Sequence, residues 1–106
     1  MPKYLLRVTY TADGSKGLMK DGGTKREAAA RRLVESLGGK LEAFYFAFGE
    51  TDVVAIADMP DHASMAAAAL TIGGTGAVTG NTTVLLTPGD LDQAAKKSGS
   101  YSPPGQ

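Results

Sequence analysis

Reactive side chains are sparse in this chain, and Arg26 is the one whose position demands most of the fold. On a helical wheel it shares a stripe with Ala30, Leu33 and Leu37, while Lys25, Arg31, Arg32 and Glu35 fall toward solvent. A guanidinium on the apolar side of a helix must reach out to water or find an acceptor. At the rim of a cleft it can grip an anionic or carbonyl-bearing ligand. Alternatively it closes a structural ion pair, for which Asp52 is a candidate. His62 is the only histidine and sits in the first turn of a second helical segment. There the helix dipole disfavours an imidazolium, which suits the ring to a base or ligand role; the plainer reading is an exposed ring at a helix start. Asp52 opens an apolar run and is a candidate general base if burial raises it. It is equally a candidate to fix a turn or pair with an arginine. Tyr10 and Tyr45 can offer phenol hydroxyls to a cleft, or serve as core or interface aromatics. Arg7, between Leu5 and Thr9 on its own face, can line a pocket or form a pair between subunits.

Several other patterns resolve to structure. The run GGTGAVTG at 73–80 lacks the Lys-Ser/Thr of a phosphate loop and follows a helix instead of leading into one, so it reads as a helix stop and turn. Ser15, Ser36 and Ser64 have no histidine placed for a triad. Absence of cysteine removes thiolate nucleophiles and thiolate metal ligands, and one histidine excludes a multi-histidine centre within the chain. No metal and no cofactor is expected.

These residues must be positioned by four strand-like runs and two main helices. The runs are Lys3–Tyr10, Lys40–Phe48, Asp52–Asp58 and Val78–Thr87, each rich in β-branched or aromatic residues and bounded by turn formers. Thr24 to Glu27 has the spacing of a capping box, and Ala30, Leu33, Val34 and Leu37 continue at helical intervals until Gly38-Gly39. Asp61 is a plausible N-cap for the second helix, whose stripe is Met65, Ala68, Ala69 and Ile72, with Gly73-Gly74 as its stop. Ser15–Lys20 adds at most a short helical turn, and Pro88–Lys97 begins one more short helix. The order β-α-β-β-α-β predicts an α+β, ferredoxin-like antiparallel sheet with two helices on one face. Strands two and three form a hairpin, and strands one and three lie centrally. Residues 1–97 make a single domain; 98–106, SGSYSPPGQ, read as a flexible C-terminal tail.

Composition bounds the function. With 106 residues, 42% of them hydrophobic, the chain can build one core. Eleven basic residues balance eleven acidic ones, which argues against a dedicated nucleic-acid binder. The charges are nevertheless segregated: residues 1–40 hold nine basic and four acidic side chains, and residues 41–95 hold seven acidic and no basic ones. No apolar run is long enough to span a bilayer, and Met1-Pro2-Lys3 leads straight into a strand, so no membrane partner and a cytoplasmic location are expected. Alternation leaves both sides of the sheet apolar: Phe44, Phe46 and Phe48 oppose Leu41, Ala43 and Tyr45, and Val54 and Ile56 oppose Val53 and Ala55. Two helices cover one side only, so a second copy of the chain is the expected partner through the other.

Ordered segments then carry a resemblance. Tyr10-Thr11, Gly14 and Leu18, Arg26-Glu27-Ala28-Ala29, Leu37-Gly38-Gly39-Lys40, Phe44-Tyr45-Phe46, Gly49-Glu50-Thr51-Asp52, Asp58-Met59-Pro60-Asp61 and Thr87-Pro88 together resemble the GYD domain family across about residues 3–92. The resemblance implies a ferredoxin-like domain of the dimeric α/β-barrel group and assigns no chemistry. The family's signature is Gly-x-Tyr-Asp; here Gly49 and Asp52 match, and Thr51 stands where the tyrosine is usual. Three functions fit: a homodimeric protein binding a small molecule between sheet and helices, a small cofactor-free monooxygenase or isomerase, and a structural oligomerisation module. His62 or Asp52 within reach of a cleft would favour chemistry.

Overall fold

The computed structural model describes residues 1–106. Its elements run β1 (Lys3–Tyr10), α1 (Ala12–Asp21), α2 (Gly23–Ser36), β2 (Lys40–Phe46), β3 (Val53–Asp58), α3 (His62–Gly73), β4 (Val78–Leu85) and α4 (Pro88–Lys96). The strands form one sheet in the order β2-β3-β1-β4, with every neighbouring pair antiparallel. Strands β1 and β3 are central, and β2 and β3 make the hairpin, as the pattern of apolar runs predicts. The protein is α+β with ferredoxin-like topology.

Period-two alternation gives the sheet two distinct faces. Val53, Ala55 and Ala57 of β3 are buried, and their ladder partners Val8, Leu6 and Tyr4 lie on the same, helix-covered face. The core there joins Tyr4, Leu41, Val34, Met59, Met65 and Ala68 to the β3 side chains. On β2 the simple alternation fails. Leu41 pairs with Ala57 and Phe44 with Ala55, because the register shifts between Leu41 and Ala43. A bulge at Glu42 therefore puts Leu41 and Phe44 on the same face, although their spacing alone opposes them. Arg31 of α2 donates to the Leu41 carbonyl at 3.2 Å and braces the bulge.

Helix boundaries follow their caps. Asp61 accepts from the Ser64 N–H at 2.7 Å, as expected of an N-cap, and these bonds hold its carboxyl below the ordinary range. At the end of α2 the N–H groups of Gly38 and Gly39 return to Glu35 and Val34, with Gly38 at φ +84°. The start of α2 differs from the sequence expectation. Its N-cap is Gly22, without a side-chain cap, and Thr24 lies inside the first turn, so the capping box with Glu27 does not form. The cause is α1, a full ten-residue helix where a short turn was expected. It ends one residue before α2 begins, and only a glycine at φ +83° makes that turn without strain.

α4 is capped by a reciprocal Thr87–Asp90 box, and every residue from Leu86 onward is exposed. The C-terminal segment therefore does not fold back over the sheet. Its projection lengthens the molecule to 57 × 33 × 23 Å and gives a radius of gyration of 17.0 Å, against about 13 Å for a compact chain of this length.

Candidate functional site

A cleft of about 510 Å³ lies between the helix-covered face of the sheet and helices α1, α2 and α3. Its floor is Val8, Tyr10, Phe44, Val53 and Val78; α2 supplies Arg26, Ala30 and Leu33; α3 supplies Thr71 and Ile72. The volume is in the range that holds small organic ligands.

The remaining wall is α1, and its sequence explains why a cavity persists there. Asp13, Gly14, Gly17, Leu18 and Asp21 share one stripe, and two of the five have no side chain to fill the space. Thr11 docks the start of this helix. Its N–H donates to the Ala77 carbonyl at 2.9 Å, and its hydroxyl reaches the carbonyls of Gly76 and Ala77 at 3.0 and 3.1 Å. Gly14 lets the helix approach so closely that a Cβ there would lie 1.9 Å from the Ala77 carbonyl oxygen. Gly17, one turn on, faces open space: a Cβ there would meet nothing within 4 Å.

Arg26 takes the cleft-side place its stripe predicts. Its acceptor is Asp21, not Asp52: Nη1 donates to Oδ2 at 3.3 Å, and Lys25 approaches the other carboxylate oxygen at 3.6 Å. Asp52 makes no ion pair with Arg26, and one of its carboxylate oxygens is engaged by the backbone instead. Oδ2 accepts from the Tyr10 N–H at 2.8 Å, while the Asp52 N–H donates to the Val8 carbonyl at 2.8 Å. Asp52 thus ties the end of β1 to the hairpin. One guanidinium donor is used in the Asp21 bond, and the planar fork has others to offer.

Tyr10 lines the same cleft as Arg26. Tyr45 and Arg7 do not. Their ladder position beside Val54 places both on the opposite, open face of the sheet, where Tyr45 is 70% exposed. His62 is also elsewhere. Its Nδ1 shares a hydrogen bond with the hydroxyl of buried Tyr4, and the two rings meet edge to face at 5.8 Å. It begins the helix whose far end, Thr71 and Ile72, borders the cleft, a separation of about 15 Å along the axis. The contributions of α1 and of Thr71 and Thr75 were missed by sequence reasoning. The usable signal was Thr11 three residues before Gly14, with Gly14, Leu18 and Asp21 at helical spacing.

The open face has two halves. Leu5, Val54, Ile56 and Tyr45 make an apolar half; Arg7, Thr79, Asn81 and Thr83 make a polar one. Lys3 links three strands at its edge through Asp58, at 3.0 Å, and Glu42. Hydrogen bonds to Glu42 and Asp58 raise the Lys3 ammonium, and the bond from Lys3 holds the Asp58 carboxyl below its usual range. Solvent reaches all three side chains, so this cluster orients the bulge more than it stabilises the fold.

Comparison with known families matches the chain to the GYD domain over residues 4–95. No curated protein and no solved structure matches the chain significantly.

Proposed function

This chain belongs to the GYD domain family, and we propose that it is a homodimeric protein that binds a small, largely apolar molecule in the cleft between sheet and helices. The observation that carries the reading is the cleft itself: about 510 Å³ of mainly aliphatic and aromatic wall with one arginine at its border. Water in such a space gains little from its walls, so an apolar guest is favoured by the area it removes from solvent. Arg26 supplies direction, because its remaining donors can orient an oxygen of the guest.

Binding is favoured over turnover by where the other candidates sit. His62 is engaged with Tyr4 at the far end of α3, and the Asp52 carboxylate accepts from the Tyr10 N–H. Neither is among the residues that line the cleft, which supports binding over proton transfer by these two groups. Dimerisation is supported by the apolar half of the open face, since a two-fold partner presenting the same surface would remove both copies from water.

The test is native mass spectrometry of protein purified without denaturation, alongside the Gly17→Phe variant. The wild-type chain is expected to retain a small molecule or to take up an uncharged polarity-sensitive dye. Gly17→Phe, whose ring enters the cleft from α1, is expected to do neither while remaining folded. A wild-type protein that carries nothing and binds no dye would overturn the proposal.

A further inference from the structure

A second space borders the cleft beneath α3. It measures about 120 Å³ and lies between α3 and the β1–β4 half of the sheet. It exists because the elements that meet there are thin: Ala69 and Gly73 face it from the helix, and Gly80 from the strand. Gly80 can be nothing larger, as a Cβ would lie 2.7 Å from the Arg7 carbonyl oxygen. Both spaces are bordered by the same three side chains, Val8, Val78 and Ile72. Two of these belong to the sheet floor and one to the helix roof, so the boundary between the spaces is wholly aliphatic. No charged side chain lines the second space.

The charges at the first space are uneven. Asp13 and Asp21 border it against the single Arg26, and Asp21 already engages that guanidinium. A carboxylate guest would add a third negative group to a lining whose only cation is Arg26, while Lys25, outside the lining, is held by Asp21. An uncharged oxygen acceptor avoids that repulsion and still uses the free donors.

We infer that the two spaces form one binding channel for an uncharged, elongated molecule: its acceptor oxygen meets Arg26, and its alkyl tail passes under Ile72 to end between Ala69 and Gly80. This rests on the small-molecule reading above and adds the shape and charge of the ligand. Ile72 is the element that sets tail length, because it alone borders both spaces from the helix side.

Calorimetric titration with straight-chain methyl ketones, from octanone to tetradecanone, tests it, with the carboxylates of equal length for comparison. In the wild-type protein affinity is expected to rise about fourfold per added methylene, and each ketone to bind more tightly than its carboxylate. Ala69→Phe, or Ala69→Leu as a smaller plug if the first unfolds the chain, is expected to leave the shortest ketone unaffected. The same plug should weaken the longest on the order of tenfold, the worth of about two methylenes. If all ketones bind equally, or carboxylates bind better, or the plug acts alike on short and long probes, the channel is overturned while the cleft remains a binding site. If no probe binds the wild type, the channel and the cleft reading fall together.

Discussion

Two glycines one turn apart on α1 should respond in opposite directions to the same substitution. Replacing either by alanine relieves the helix of a glycine, which favours folding by about 1 kcal/mol. At Gly17 nothing opposes this, because the new Cβ has no neighbour within 4 Å. At Gly14 the Cβ would stand 1.9 Å from the Ala77 carbonyl oxygen and 3.0 Å from the Tyr10 ring, where ordinary contact begins at 3.4 Å. Helix α1 must therefore withdraw by about 1.5 Å, the difference between these separations, a misfit of the kind that costs about 1–3 kcal/mol. The movement stretches the bonds from the Thr11 N–H and hydroxyl to the Gly76 and Ala77 carbonyls, each worth about 1 kcal/mol. Set against the helix gain, Gly14→Ala is expected to lose about 2 kcal/mol, or about 10 °C in melting temperature, while Gly17→Ala gains about 5 °C. Urea and thermal unfolding followed by circular dichroism, at one fixed protein concentration, measure both. Equal stability of the two variants would refute the close approach of α1 to the start of β4, and with it the shape of the cleft wall.

Asp52→Ala leaves the Tyr10 N–H without its acceptor and is expected to cost about 1–2 kcal/mol in urea unfolding, with Asp52→Asn recovering most of it because an amide oxygen can accept in the same place. An alanine variant as stable as the wild type would show that the carboxylate does not hold the end of β1. Light scattering is expected to return twice the 10.9 kDa chain mass for the wild type at micromolar concentration and a single chain for Val54→Asp, which puts a charge into the apolar half of the open face. A wild-type protein of one-chain mass would rule out the homodimer.

Local pattern carried the element order, the β2–β3 hairpin, the Asp61 cap, the stop at Gly38 and the cleft-side position of Arg26. Each of these depends on residues a few positions apart, where a period of two or of 3.6 and the geometry of a cap are decisive. Other features depend on what arrives from a distant part of the chain. Only a short turn over Ser15–Lys20 was legible where α1 forms, and Gly14, which allows its tight seat on Ala77, acts on a residue sixty-three positions away. A capping box at Thr24 was locally sound, but α1 ends too close to leave room for it. The Glu42 bulge changes the face of half a strand, and nothing within β2 announces it, since it is set by the register against β3 and by Lys3 reaching across. The acceptor of Arg26 could not be chosen from the sequence either: Asp21 and Asp52 are both carboxylates, and only the fold spends one of them on the Tyr10 backbone. Periodicity and capping thus determined which segments form and which way they face, because those are short-range effects. The cavity was decided by tertiary structure, because an empty space is defined by how closely separate elements can approach.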